Sequence, residues 1–451
     1  MPLLEFPDDM YVLRPGEPAM YGFDPMVKRY AEHLKAFMGE DEWLVRRDKI
    51  AHFFYQSLVG ETVDSSGKGQ FFNNKDQFGW YLFLAEAFND HPQNYEVIYG
   101  SRVIPIFATL GRNLDQLLSV EGYETRLRRL MSSDRSQPNG GFFEFLVATA
   151  YVCDGYKVAF HPEKRGIARS HDIDVQKGDV CFAVECKRME GGEYHEIERQ
   201  RMRDLWQPAC MLQVSTGNSS YFDIHFKIAL PDVSNNYLYE KARQFVDSGK
   251  DNLLFDDNTA RGIIRELDIK PLQEALKETY WLHPGPQFTE KLLGSYRRYD
   301  SHLAVQKIRY ASNPHFIDEI DQAVVARWTS LSEVAIERKA RDVFSKVVDA
   351  CKQLPSDVPG IVHVGFETLG GDEIEKRRYQ KIKSKIRNFD AKGKPLTAII
   401  CHAFSPEASP TETWAFDETC IYQCFGYNTL PLSKITLVVP DDGPLNDGVH
   451  W

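Results

Sequence analysis

The sequence predicts an α/β protein whose core runs helix, three strands, helix and strand over residues 132–230, with a helical region before it and further α/β structure after it. Three observations predict this. Residues 142–152 are an almost wholly apolar helical stretch. Residues 156–160 and 171–188 alternate as short strands around a Gly-bearing turn. Residues 193–206 return to helical spacing before 221–230 alternates again.

At 451 residues the chain has the length of roughly two to four domains and can bury real cores. With 43% hydrophobic and 26% charged residues it reads as an ordinary globular protein, which excludes disorder as its main character. The first residues show no basic region followed by an apolar run, and the apolar stretch 142–152 is short and carries Glu144. Neither a secretory signal nor a membrane span is therefore expected, and a cytoplasmic protein is. The eight cysteines are scattered, with Cys153, Cys181 and Cys186 in apolar segments, so reduced core thiols are expected in place of a disulfide framework. Cys420 and Cys424 have a loose metal-like spacing with no second pair beside them, and no metal is expected there.

In chain order, residues 1–131 read as a helical N-terminal domain broken by Pro15-Gly16 and Gly67-Lys68-Gly69. Arg126, Arg128 and Arg129 near its end read as a solvated helix face. Residues 132–141 (SSDRSQPNGG) read as a linker, with Asn139 capping the next helix. Within that helix Glu144 is the lone charge among apolar neighbours, so it must reach an edge or find compensation. Residues 132–230 are the expected core and 231–330 a helical region, where Arg297, Arg298, Lys307 and Arg309 among Tyr296, Tyr299 and Tyr310 read as an ordinary amphipathic pattern. Residues 331–451 are expected to form a small α/β domain: a helix over 331–354, strands near 361–366, 396–402, 419–424 and 435–439, and a basic helix at 376–389.

The chemistry gathers at residues 171–188, HDIDVQKGDVCFAVECKR. Asp172 and Asp174 lie two apart on the first strand, and the second runs into Glu185, Cys186 and Lys187. Side chains alternate along a strand, so Glu185 and Lys187 share one face and Cys186 takes the other. Two carboxylates on adjacent strands repel unless a cation lies between them, and magnesium, which prefers carboxylate and water oxygens, suits that place. Glu-x-Lys or Asp-x-Lys alone has little specificity, since Glu337-Arg338-Lys339, Asp268-Ile269-Lys270 and Asp390-Ala391-Lys392 also occur. Only the copy at 185 follows an apolar strand with an Asp-bearing strand before it.

This arrangement resembles the PD-(D/E)XK nuclease superfamily, whose restriction-endonuclease-like αβββαβ core carries an Asp at one strand and Glu-x-Lys on the next. Here these are Asp172 and, thirteen residues on, Glu185-Cys186-Lys187; His171 stands where the family often has proline, which leaves Asp174 as an alternative to Asp172. The resemblance covers roughly residues 138–230. It implies a nuclease in which Asp172, Glu185 and the Cys186 backbone carbonyl hold Mg2+, with Mn2+ as a substitute, Lys187 activates or orients the attacking water, and Glu144 assists through the metal shell. DNA is favoured over RNA, and restriction or anti-phage defence is the expected setting. A catalytically silent nucleic-acid-binding module, and a subunit of a larger defence or repair complex, stay open, as does a homodimer.

A net charge of −11 is unusual for a nucleic-acid binder, but the charge is unevenly spread. Residues 376–394 hold nine Lys or Arg against Asp390 alone. Lys376, Arg377, Arg378, Lys381, Lys383, Lys385 and Arg387 are therefore the expected phosphate-contacting set.

Overall fold

The computed structural model describes residues 10–12, 22–58, 72–162, 170–189, 193–278, 282, 285–297, 301–310, 315–368, 371–426 and 430–438. The expected breaks at Pro15-Gly16 and Gly67-Lys68-Gly69, Arg298 and Tyr299 lie outside these residues. The described residues form a mixed α/β structure with two mixed sheets.

Among them, six α-helices precede residue 132: α1 (Pro25–Met38), α2 (Glu40–Leu58), α3 (Gln77–Asp90), α4 (Val97–Arg112), α5 (Leu114–Leu118) and α6 (Tyr123–Met131). Helix α3 is buried on all sides from Phe78 to Phe88, Glu86 included. A buried carboxylate needs compensation. Arg47 at 3.0 Å, Lys35 at 3.2 Å and the Trp43 indole N–H at 2.6 Å supply it.

These helices do not form a core of their own. One hydrophobic cluster runs from Val27 through Phe107, Phe142 and Val184 to Leu437 and Val438. The expected linker is accordingly a mostly exposed turn tied to α3, in which the Arg135 carbonyl accepts from the Phe78 N–H at 2.9 Å. Helix α7 (Asn139–Cys153) begins at Asn139 itself and has no side-chain cap. The Asn139 amide oxygen accepts instead from the Tyr81 hydroxyl at 3.0 Å. Helix α7 is apolar nearly all round because it is covered nearly all round, by α4, α5 and α6 on one side and a sheet on the other.

Strands β1 (Lys157–Phe160), β2 (Ile173–Lys177) and β3 (Val180–Met189) follow as an antiparallel meander. Lys177 faces Val180 across the hairpin, leaving Gly178-Asp179 as a two-residue loop. Gly178 has φ +62°, the left-handed conformation that such loops require.

Beyond β3 the expected order fails. The chain leaves through α8 (Glu193–Thr216) into a second sheet, made of β4 (Ser220–Phe226), β5 (Asn252–Asp256), β6 (Ala260–Glu266), β7 (Ser301–Tyr310) and β8 (Ile317–Ser330) in the order β5-β6-β4-β8-β7. Helices α8 and α9 (Tyr237–Ser248) pack on one face, and α10 (Lys270–Glu278) and α11 (Pro286–Leu293) on the other. The strand expected at 221–230 is thus β4, but it belongs to this sheet. Residues 231–330, expected to be helical, carry four of its strands.

The chain then returns through α12 (Glu333–Gln353), β9 (Gly360–Glu367), α13 (Asp372–Arg387), β10 (Leu396–Glu407) and β11 (Ala415–Cys424). These strands complete the first sheet as β1-β2-β3-β9-β10-β11, with β9 parallel to both β3 and β10. The boundary expected at residue 230 therefore cuts across a sheet, and residues 331–451 are not a separate small domain. No strand forms among residues 435–438; the Leu437 and Val438 N–H groups donate to the Glu418 carboxylate instead.

Helix α7 lies on one face of the first sheet, against Val184, Cys186 and Ile361, and α12 and α13 lie on the other, against Ala183, Met189 and Val364. The α7 face is close-packed at Gly365 of β9, where a Cβ would sit 2.7 Å from the Phe143 ring.

Candidate active site

Glu185 is the centre of the site. Strand alternation puts it on the face opposite Cys186, as expected, which is the face away from α7, and neighbouring strands and helices cover it fully. Lys187, one strand repeat on and about a quarter exposed, donates from Nζ to Glu185 Oε1. The other oxygen, Oε2, is buried without a hydrogen-bond partner. Burial pushes the Glu185 carboxyl up to about 8, and the negative charges of Asp172 and Glu144 add to it, against the pull of Lys187. Burial also lowers Lys187, but the Glu185 and Asp172 carboxylates outweigh it and hold the ammonium above its usual range.

Asp172 stands immediately before β2, and its Oδ2 accepts from the Cys186 N–H at 2.9 Å. The N–H and C=O of one strand residue point the same way, so the Cys186 carbonyl faces the side where Asp172 sits. The Cys186 side chain is buried on the α7 side, as alternation requires. Glu144 is half-buried on α7, and Arg126 Nη1 approaches its Oε2 at 3.5 Å. The compensation that a lone acid in that helix needs is therefore Arg126. The expectation of a solvated arginine face fails at this residue: Arg126 is buried, stacks over Phe160, and extends Nη2 to the carbonyls of Asp172 and His161 at 3.4 Å.

Asp174 is engaged elsewhere. It accepts from His171 Nε2 at 2.6 Å and pairs with His161 Nδ1 at 2.9 Å. Although burial opposes it, the two imidazoles hold the Asp174 carboxyl below its usual range. Of the two aspartates, Asp172 is the one joined to the Glu185 strand.

Two carboxylates and a backbone carbonyl are hard oxygen donors of the kind Mg2+ prefers, and the unpartnered Glu185 Oε2 is an acceptor suited to a cation. The set is not drawn to one point. Among the described residues, the groups of three whose ligand atoms lie within 4.8 Å of one another are His161-His171-Asp174 and His402-Glu418-Cys420. The second ends a buried chain that runs from the Tyr151 hydroxyl to His363 Nε2 at 3.1 Å, from His363 Nδ1 to His402 Nε2 at 2.9 Å, and from His402 Nδ1 to Glu418 at 2.9 Å. Three N–H···O contacts from the Leu437 and Val438 backbone saturate Glu418, so this chain fastens residues 437–438 to β11. Cys420 lies beside His402 of β10, Glu418 of β11 and the Ile435 carbonyl. All eight cysteines are free, as expected, although Cys153 and Cys181 are exposed.

The basic helix is α13, and most of its cations are already paired. Arg377 meets Glu333 at 2.8 Å, Lys381 meets Glu337 at 3.3 Å and Lys385 meets Glu337 at 2.8 Å, a ladder between α13 and α12. Arg378 is buried over the Phe366 ring. Lys376, Lys383 and Arg387 are exposed. Of the seven residues expected to contact phosphate, three are thus exposed, because Arg377, Lys381 and Lys385 meet acids of α12 and Arg378 is buried. Arg297 pairs with Asp223 at 2.9 Å, and Arg309 with Asp318 at 3.0 Å, so neither belongs to a helix.

No family model matches the chain, and neither a curated protein nor a solved structure does. Among the described residues no helix is long and apolar enough to cross a membrane.

Proposed function

We propose that the protein is a metal-dependent nuclease hydrolysing phosphodiester bonds of nucleic acid, DNA in preference to RNA, with a restriction-endonuclease-like core. The order α7-β1-β2-β3-α12-β9 supports that core: it has the αβββαβ sequence of elements, with the second sheet inserted between β3 and α12. A single observation carries the functional reading. Glu185 sits fully buried with one oxygen lacking a partner, between a lysine and an aspartate that the hairpin brings to it.

Asp172, Glu185 and the Cys186 carbonyl would hold Mg2+, or Mn2+ in its place, with Glu144 adding negative charge behind them. When bound there, the ion supplies positive charge against the charge that builds on phosphorus during attack. Lys187 orients the attacking water and stabilises negative charge beside it. Arg126 fixes Glu144 and the Asp172 backbone, holding two acids that would otherwise repel. Restriction or anti-phage defence is the setting we favour. A catalytically silent nucleic-acid-binding module or complex subunit is favoured by one observation, the closure of Lys187 onto Glu185.

Incubating the purified chain with plasmid, single-stranded DNA and RNA, with Mg2+ or with EDTA, separates these readings. Cleavage that needs Mg2+ and stops in EDTA is expected. Binding without cleavage under every divalent ion selects the silent module, and hydrolysis undiminished in EDTA sinks the metal mechanism.

A further inference from the structure

A second site lies beyond the ends of β3 and β9. There a cavity of about 530 Å³ opens between the first turns of α7, α8 and α13, within the usual size of small-molecule sites. Four helices each bring one cation to its wall: Arg102, Arg199, Lys339 and Arg378. The arginines are only loosely neutralised, by Glu367 at 3.7 Å, Glu196 at 3.8 Å and Glu375 at 3.4 Å, all longer than a charge-assisted hydrogen bond of about 2.8 Å. Lys339 is held by Glu198 at 2.6 Å. Arg378 is buried, and its Nε has no partner.

His195 registers the resulting field. Burial and, after it, those same four cations together lower it to about 3. Helices α7 and α13 begin at this wall without side-chain caps, so their N-terminal dipoles add to the positive potential. Part of the wall is different in kind. The rings of Tyr81 and Tyr99 stand there, with the Tyr81 hydroxyl joining the Gln77 and Asn139 amides, and aromatic rings of this kind stack on a planar heterocycle.

An anion site and an aromatic, amide-bearing wall in one cavity match a phosphate joined to a base. We infer that this cavity binds a nucleoside monophosphate, either free or as a nucleotide of a bound strand. The inference deepens the nuclease reading, because Arg188, which follows Lys187, donates to Glu367 of the cavity wall at 3.1 Å. It is measured without turnover.

The test is isothermal titration of the full chain in EDTA with 5′-mononucleotides, inorganic phosphate and the free nucleosides. One mononucleotide per chain is expected, bound at least tenfold more tightly than phosphate or its own nucleoside. Arg199→Glu, at a half-exposed side chain, and Arg378→Gln, checked for folding by circular dichroism, should each weaken it at least tenfold, while Lys187→Ala binds like the parent. Displacement of the nucleotide by a single-stranded oligonucleotide assigns the site to a nucleotide of the strand; failure to displace assigns it to the free nucleotide. No saturable binding, or equal binding by the parent and both folded cavity variants, overturns the inference. Since nothing is cleaved in EDTA, an inactive protein that still binds would sink the nuclease reading alone.

Discussion

Glu185→Gln tests the electrostatics of the site directly. The Glu185 carboxyl titrates near 4.5 in an unfolded chain and is pushed up to about 8 in the fold. The folded protein therefore binds the extra proton between those values. The stability this contributes is fully present below about pH 4.5 and is lost as pH rises through about 8. At about 1.4 kcal/mol per unit the loss has a ceiling of roughly 5 kcal/mol, and local relaxation brings the expected figure to roughly 2–3 kcal/mol. Gln keeps the shape of the neutral acid and cannot ionise. In urea unfolding with EDTA, parent and variant should be nearly equal at pH 5, and the variant should be the more stable by that amount at pH 8.5. Adding Mg2+ at pH 8.5 should restore the parent and leave the variant unchanged. A stability difference that does not change with pH refutes the buried, charge-crowded Glu185 on which the site is argued.

Lys187→Ala leaves both carboxylates in place, so calorimetry should show Mg2+ binding at least as tight as in the parent while cleavage falls by about a hundredfold or more; parental cleavage by this variant would remove Lys187 from the chemistry. Asp172→Ala should lose Mg2+ binding and cleavage together, whereas Asp174→Ala, which frees only His161 and His171, should do less; the reverse order would exchange the two aspartates. Changing Lys376, Lys383 and Arg387 together to Ala should flatten the salt dependence of nucleic-acid affinity, since each phosphate that is no longer neutralised reduces the slope by about 0.7–0.9. The paired Lys381 and Lys385 should affect it little, and a filter-binding titration over salt concentration separates the two sets.

How much can be seen in the sequence depends on the distance between partners. The hairpin, its Gly178 turn and the facing of Glu185 and Lys187 are local, and alternation alone predicts them. The apolar helix around Glu144 is equally plain. The alternation of β4 identifies a strand but says nothing of which sheet it joins, and that misplaces the core boundary. The partner that β3 does take, β9, pairs Val362 with Glu185 across the whole inserted sheet. Strand β8 is hidden for a different reason: Ile317, Ile320 and Val324 fall at helical spacing, and its pairing with β7 is broken by register shifts near Ile308 and Tyr310. Arg126 and the α13 lysines are misread because their acids lie on other helices, which charge patterning along one segment cannot reveal.

The pairing of β3 with β9 also sets an order of assembly. The hairpin that carries Asp172, Glu185 and Lys187 is complete once residue 189 has left the ribosome, but the strand that flanks it and the helix that covers Glu185 follow only after the inserted sheet. Contacts so far apart in sequence form slowly. Until they form, Glu185 stands at an open sheet edge in water, where its acidity is that of any exposed carboxyl, and the cavity wall still lacks Lys339 and Arg378. A nascent or truncated chain that stops short of β9 therefore holds Asp172, Glu185 and Lys187 without the burial around Glu185, which arrives only with the last third of the chain.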